Sequence, residues 1–307
     1  HPLNGDVIEL YGADFGCRTA IMYSPEDLAC LWNKWSRLTP PKRPAVLQGR
    51  ITKSMRVGAN VIAYATGREP PNKLESRMIT AEEGSADTIK RGLLQVAQLR
   101  HTGGWDTAPK AARNLLLALN RTVGLTASTK PEALLPGSED LKNYSLVLMH
   151  GRHGFSMSKE EINNLRKYLL NGRVLFADAC CGARPFDSSF REFARKLFPE
   201  GKLKRIDPAH EIFTTEIGHD LSHVRRRTPS ASNSDTLDGN IITDKAFLEG
   251  IEIGGRLVVI YSKYDISCAL ERQASVACTG YIPDDAVRIA VNVVLYTMLQ
   301  QVELAAP

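Results

Sequence analysis

Ser145-Leu-Val-Leu-Met-His150 and Val174-Leu-Phe-Ala-Asp178 flank a segment that opens with Ser158, carries Glu160 and Glu161, runs to Leu170 and closes with Asn171-Gly172. Each flanking run is short, apolar and unbroken, as expected of a strand buried on both faces of a parallel sheet. Ser158 is a helix N-cap, and two acids in the first turn complement the helix dipole. Asn171-Gly172 is a C-terminal stop. Strand, helix and strand with short links predict two parallel neighbours.

The same alternation extends on both sides. Leu93 to Arg100 reads as a strand, Pro109 to Thr122 as a helix with proline near its start, and Ser188 to Leu197 as another helix. The pattern predicts an α/β fold with a doubly wound, mainly parallel sheet over residues 93–307.

An internal repeat sets the organisation of the rest. Arg18, Tyr23, Ser24, Asp27 and Cys30 recur as Arg256, Tyr261, Ser262, Asp265 and Cys268 at a constant offset. A second block, Arg56, Asn60 and Tyr64, recurs as Arg288, Asn292 and Tyr296. Each unit reads as a strand, a polar loop and a return helix, with Asp284 and Asp285 at the start of the second return helix. Residues 1–80 therefore read as the C-terminal half of a similar domain, and residues 81–92 as a linker in a Pro- and Gly-containing stretch. Half a domain cannot close a sheet. It must pack on the complete domain or be completed by other residues, and pseudo-dimeric pairing of copies or a homodimer is expected.

Apolar residues make up 43% and charged residues 24% of the 307, so a sizeable core is expected. The net charge of +5 is spread along the chain. Its one dense run, Arg225-Arg226-Arg227, reads as a solvated turn, which argues against a nucleic-acid partner. No stretch approaches the roughly 18–20 apolar residues of a membrane span. No leader is visible, and the start at His1 is read as that of a piece of a longer protein, with an extracytoplasmic part as the expectation; localisation is otherwise unassigned. Six cysteines without a CxxC pair do not make a disulfide scaffold or a zinc ribbon.

In open parallel sheets the site lies beyond the carboxyl ends of the strands. Three polar loops belong there: His150-Gly-Arg152-His153, Asp178-Ala-Cys180-Cys181-Gly182, and Tyr261-Ser262-Lys-Tyr-Asp265 followed by Cys268. The second has the shape of a nucleophile elbow, where helix amides would favour a thiolate. Cys180, Cys181, His150, His153 and Asp178 are the catalytic candidates. Arg152, His210, Tyr261, Ser262, Asp265 and Cys268 are the binding candidates. The competing explanation for the cysteines is packing beneath a loop. Asp265 and Asp27 fit helix caps, since both copies carry one. A zinc site built from Cys180 or Cys181, Cys268, Cys278 and a histidine has irregular spacing. No metal is assigned and no cofactor can be named.

The stretches His101-Thr-Gly-Gly104-Trp105-Asp106, Leu165 through Asp178, Phe186-Asp187-Ser-Ser-Phe190-Arg191, Asp207-Pro-Ala-His210 and Tyr261 through Asp265 resemble the domain of unknown function 4159. That resemblance implies a flavodoxin-like three-layer sandwich, similar to class I glutamine amidotransferases and trehalose-utilisation-like proteins. It brings no established reaction. Carried over from the wider superfamily, the nucleophile position falls nearest Cys180, but Asp178 departs from the Gly-x-Cys-x-Gly pattern. The expected function is binding of a small-molecule or protein ligand. The alternative is a cysteine-dependent hydrolase or amidotransferase-like enzyme with His150, His153 or His210 as base.

Overall fold

The computed structural model describes residues 8–15, 18–35, 42–66, 94, 96–125, 132–228, 240–272 and 278–305. These fall into two compact units, one drawn from residues 1–15 and 19–88, the other from 16–18 and 89–307. The linker read at residues 81–92 lies outside the described residues.

In the first unit, β1 (Tyr11–Phe15) and β2 (Arg18–Tyr23) form a two-stranded sheet. A short α1 (Ala29–Asn33) packs on the long α2 (Ala45–Thr66). Trp32 Nε1 donates to the carbonyl of Ser54 at 2.8 Å, and Ser54 Oγ donates to the carbonyl of Leu28 at 3.1 Å. Gly58 leaves room for the indole, which a Cβ there would meet at 3.0 Å. Asp27 accepts from the Cys30 amide at 3.0 Å, the capping role its position predicts.

The second unit begins with β3 (Val96–Leu99), α3 (Ala111–Val123), β4 (Glu132–Leu134), β5 (Leu146–Gly151), α4 (Lys159–Leu170), β6 (Val174–Ala179) and α5 (Arg184–Leu197). It continues through β7 (Lys204–Arg205), β8 (Val224–Thr228), β9 (Asn240–Asp244), β10 (Glu249–Ile253), β11 (Arg256–Ser262), α6 (Ser267–Leu270), β12 (Gly280–Tyr281) and α7 (Pro283–Ala305). Seven strands form the central sheet in the order β4-β3-β5-β6-β11-β10-β7. The first five are parallel, and β10 and β7 close the edge in antiparallel pairing. A second, small antiparallel sheet has the order β12-β8-β9.

Alternation along the strands makes two cores. Leu146, Leu148, Phe176 and Ile260 pack with α3, α6 and α7. Val147, Met149, Leu175, Val259 and Tyr261 pack with α4 and α5. The Ser158 box closes in both directions: Glu161 N donates to Ser158 Oγ at 3.2 Å, and Ser158 N donates to the Glu161 carboxylate at 2.7 Å. Gly172 takes φ +84° just after α4, in line with its reading as a stop.

Two local expectations need correction. Helix α5 starts at Arg184 rather than Ser188, because Pro185 is compatible with a first helical turn and Phe186 extends the buried face. The arginine run is strand β8, not a turn. It pairs with β9, and Arg225 Nε lies 3.0 Å from the buried Asp285 carboxylate. Among the described residues, no helix is long and apolar enough to cross a membrane.

Candidate functional site

Strands β5, β6 and β11 end side by side. His150, Asp178 and Ser262 are direct partners across them, so the three polar loops emerge together from the carboxyl edge of the sheet. The loop after β6 and the segment around α6 then lock through two buried carboxylates. Asp178 accepts from the amides of Ile266 and Ser267, each at 3.0 Å, and from Ser267 Oγ at 2.5 Å. Asp265 accepts from the amides of Cys181 at 2.9 Å, Ala269 at 3.0 Å and Cys268 at 3.3 Å. Burial, and then the neighbouring charge of Asp178, pushes the Asp265 carboxyl up to about 7.

This joint fixes the cysteines. Cys181 holds φ +55°, a conformation few non-glycine residues adopt, and the Asp265 carboxylate holds its amide. Its sulfur is bonded to Cys278. Cys180 is a free thiol with no exposed surface. Burial pushes that thiol well up, and the charges of Asp178 and Asp265 push it further. Cys180 Sγ, an Asp265 oxygen and Cys268 Sγ lie within 4.8 Å of one another, the one such group of potential metal ligands among the described residues. Both Asp265 oxygens already accept backbone hydrogens, and Cys268 is disulfide-bonded. The donor set therefore suits a packed joint better than a metal cage.

The histidines point elsewhere. His150 is buried, with Nε2 3.3 Å from the Gln98 amide nitrogen. Gln98 also donates to the Trp105 carbonyl at 2.5 Å. His101 Nδ1 accepts from the Gly103 amide at 3.0 Å, which leaves Nε2 to donate to the His150 carbonyl at 3.0 Å. Burial lowers both imidazoles to about 4, so both are neutral at ordinary pH. The amides of Arg152 and His153 both donate to the Gly103 carbonyl at 2.9 Å, which ties the first loop to the turn after β3. The His153 side chain is exposed, and Arg152 is half-buried. His210 caps a short turn, accepting from the Ile212 amide at 3.1 Å, and packs edge-on against Tyr296 of α7.

Tyr261 enters a different network. Its hydroxyl donates to Asp187 at 2.8 Å, and its ring stacks on Phe190 at 4.1 Å. Arg191, one turn after Asp187, forks onto Glu249 at 2.7 and 2.9 Å and reaches Asp187 at 3.1 Å. Glu249 and then Asp187 raise the Arg191 guanidinium further, while burial and Asp187 raise the Tyr261 phenol. Ser262 Oγ donates to the Tyr264 carbonyl at 2.7 Å and accepts its amide at 3.2 Å. A separate cleft of about 310 Å³, lined by Ser138, Lys142, Asn164, Lys167 and Arg173, opens at the opposite end of the sheet, away from these groups.

The family model for the domain of unknown function DUF4159 matches residues 95–298. The chain belongs to the DUF4159 family. No curated protein matches it. In this DUF4159 domain, the structure gathers Asp178, Cys180, Cys181, Asp265 and Cys268 into one joint and leaves His150, His153 and His210 in other surroundings. Sequence reading passed over Glu249, whose partner Arg191 is 58 residues away, and the pairing of Cys181 with Cys278 across 97 residues. It quoted Asp187 and Arg191 without a role. Their spacing of four on a helix was the available signal.

Proposed function

We propose that the domain is a binding module whose carboxyl-edge loops recognise a ligand without covalent catalysis. One observation carries this reading. The thiol at the elbow is enclosed among carboxylates, and its neighbour is bonded to Cys278. A cysteine nucleophile needs a stabilised thiolate and a base within reach. Cys180 has the opposite electrostatics, and His150 faces Gln98. The hydrolase or amidotransferase-like alternative would need this joint to open.

The finer fold belongs to the same proposal. Five parallel strands in the order β4-β3-β5-β6-β11, with helices on both faces, support a flavodoxin-like sandwich of the amidotransferase-like kind. For the partial copy, β1 lies 238 positions before β10, and β2 begins 238 before β11, matching the repeat offset. That supports domains at 1–80 and 93–307 with a linker at 81–92. The disulfide supports an oxidising, extracytoplasmic compartment. The ligand is a small molecule or a protein, and pairing of copies remains part of the proposal.

The test is turnover by the purified chain on glutamine and on amide and ester substrates, beside Cys180→Ala. We expect no thiol-dependent turnover in either protein. Activity that Cys180→Ala abolishes while the fold persists overturns the reading.

A further inference from the structure

Five separate segments meet at the corner where β7, β10 and β11 reach the carboxyl edge. Arg205 ends β7 and pairs across the strands with Glu249. Phe247 lies two residues before β10, Lys263 and Tyr264 directly follow β11, Arg226 lies in β8, and Tyr281 lies in β12. Three aromatic rings form the base. Phe247 and Tyr264 meet edge-on at 5.8 Å, and Tyr264 and Tyr281 at 6.0 Å. The Tyr281 hydroxyl accepts the Phe247 amide at 3.0 Å and donates to the Phe247 carbonyl at 3.2 Å, so the rings are anchored through backbone.

Three cations rest on these rings. Arg226 lies 3.7 Å over Tyr264, and Lys263 lies 4.5 Å from the Phe247 centroid and 5.2 Å from that of Tyr264. Arg205 lies 5.0 Å over Phe247. Three other arginines of this domain are ion-paired: Arg191 with Glu249 and Asp187, and Arg225 and Arg288 with Asp285. By contrast, Arg205, Arg226 and Lys263 form no ion pair among the described residues. Of the carboxylates in the vicinity, Glu249 is paired with Arg191, while Asp244 accepts the Lys245 amide and keeps its charge. A ring face positions a cation without cancelling its charge or using up its N–H donors.

We propose that Arg205, Arg226 and Lys263, held on Phe247 and Tyr264, form an anion-binding site for the phosphate group of a small-molecule ligand. Two guanidinium forks and an ammonium supply more donors than one carboxylate accepts, and they match a tetrahedral dianion. Exposure of Arg205 and partial exposure of the other two let a ligand enter. The site deepens the binding reading above and fails independently of it, since the thiol assays do not involve these residues.

Titration calorimetry with inorganic phosphate and pyrophosphate at low ionic strength tests the site. Pyrophosphate should bind, and Arg226→Gln or Lys263→Gln should weaken it at least about tenfold. Lys167→Gln, at the opposite end of the sheet, should leave it unchanged. Should both glutamine variants fail to fold, the wild-type chain still decides: pyrophosphate must raise its unfolding temperature above chloride at matched ionic strength. Absence of binding, affinity in both variants equal to that of the wild-type chain, or binding of a single-stranded oligonucleotide but not pyrophosphate overturns the proposal.

Discussion

At Asp178 and Asp265, burial and hydrogen bonding pull in opposite directions. Burial favours the protonated acids, while the donors around each carboxylate favour the ions. Asp178→Ala would leave two amides and a hydroxyl without an acceptor, so a loss of about 3–5 kcal/mol is expected in urea unfolding. A change below about 1 kcal/mol would mean that the joint contributes little. Protonation adds a pH signature. Asp265, raised from 3.8 to about 7, contributes fully at low pH and loses that contribution as pH rises through 7. His101 and His150, lowered from 6.5 to about 4, contribute fully above 6.5 and lose that contribution as pH falls toward 4. Burial raises Asp178 as well, so two acids oppose the two histidines in this window, and the histidine part is isolated by substitution. The double variant His101→Asn with His150→Asn should lose less stability than the native chain on acidification from pH 6.5 toward 4, and an unchanged pH dependence would refute the assignment. At this scale the sequence revealed the polar loops and the cap at Asp265. It hid the neutral state of His150, because burial by Gln98 and the turn after β3 is a tertiary effect.

Between elements, helix α5 and strands β10 and β11 are joined by the Tyr261, Asp187, Arg191 and Glu249 network. Glu249 is buried and Arg191 is partly exposed, so the pair is worth less than a fully enclosed one. Arg191→Met leaves Glu249 without its counter-ion and should cost about 1–3 kcal/mol. Restoring neutrality with Arg191→Met and Glu249→Gln together should recover part of that loss, and strict additivity in the cycle would show that the two do not interact. The helices α3 and α4 and the strands β3, β5 and β6 were legible because periodicity, caps and short links agree. Strands β8, β9 and β10 were not. β8 is three arginines in a row, and β9 is exposed along its length, so neither carries an apolar alternation.

Across the molecule, the same residue pattern meets different surroundings in the two units. Val259 and Tyr261 are fully buried between β6 and β10, while Ile21 and Tyr23 at the matching positions are 66% and 62% exposed. Val259→Ala should therefore cost about 2 kcal/mol, and Ile21→Ala less than about 0.5 kcal/mol. Equal losses in thermal or urea unfolding would contradict the contrast. The Cys181–Cys278 bond closes a loop of 97 residues, and its removal as Cys181→Ser with Cys278→Ser should cost up to about 4 kcal/mol. The matched residue blocks raised the expectation of a second, partial unit, but nothing local could have paired two cysteines so far apart. The most direct measurement is the rate of alkylation of Cys180 by iodoacetamide in the native chain across a pH series, read by mass spectrometry. The account predicts that Cys180 stays unmodified through pH 8.5 and reacts only on unfolding. Rapid labelling of the folded chain below pH 7 would contradict it.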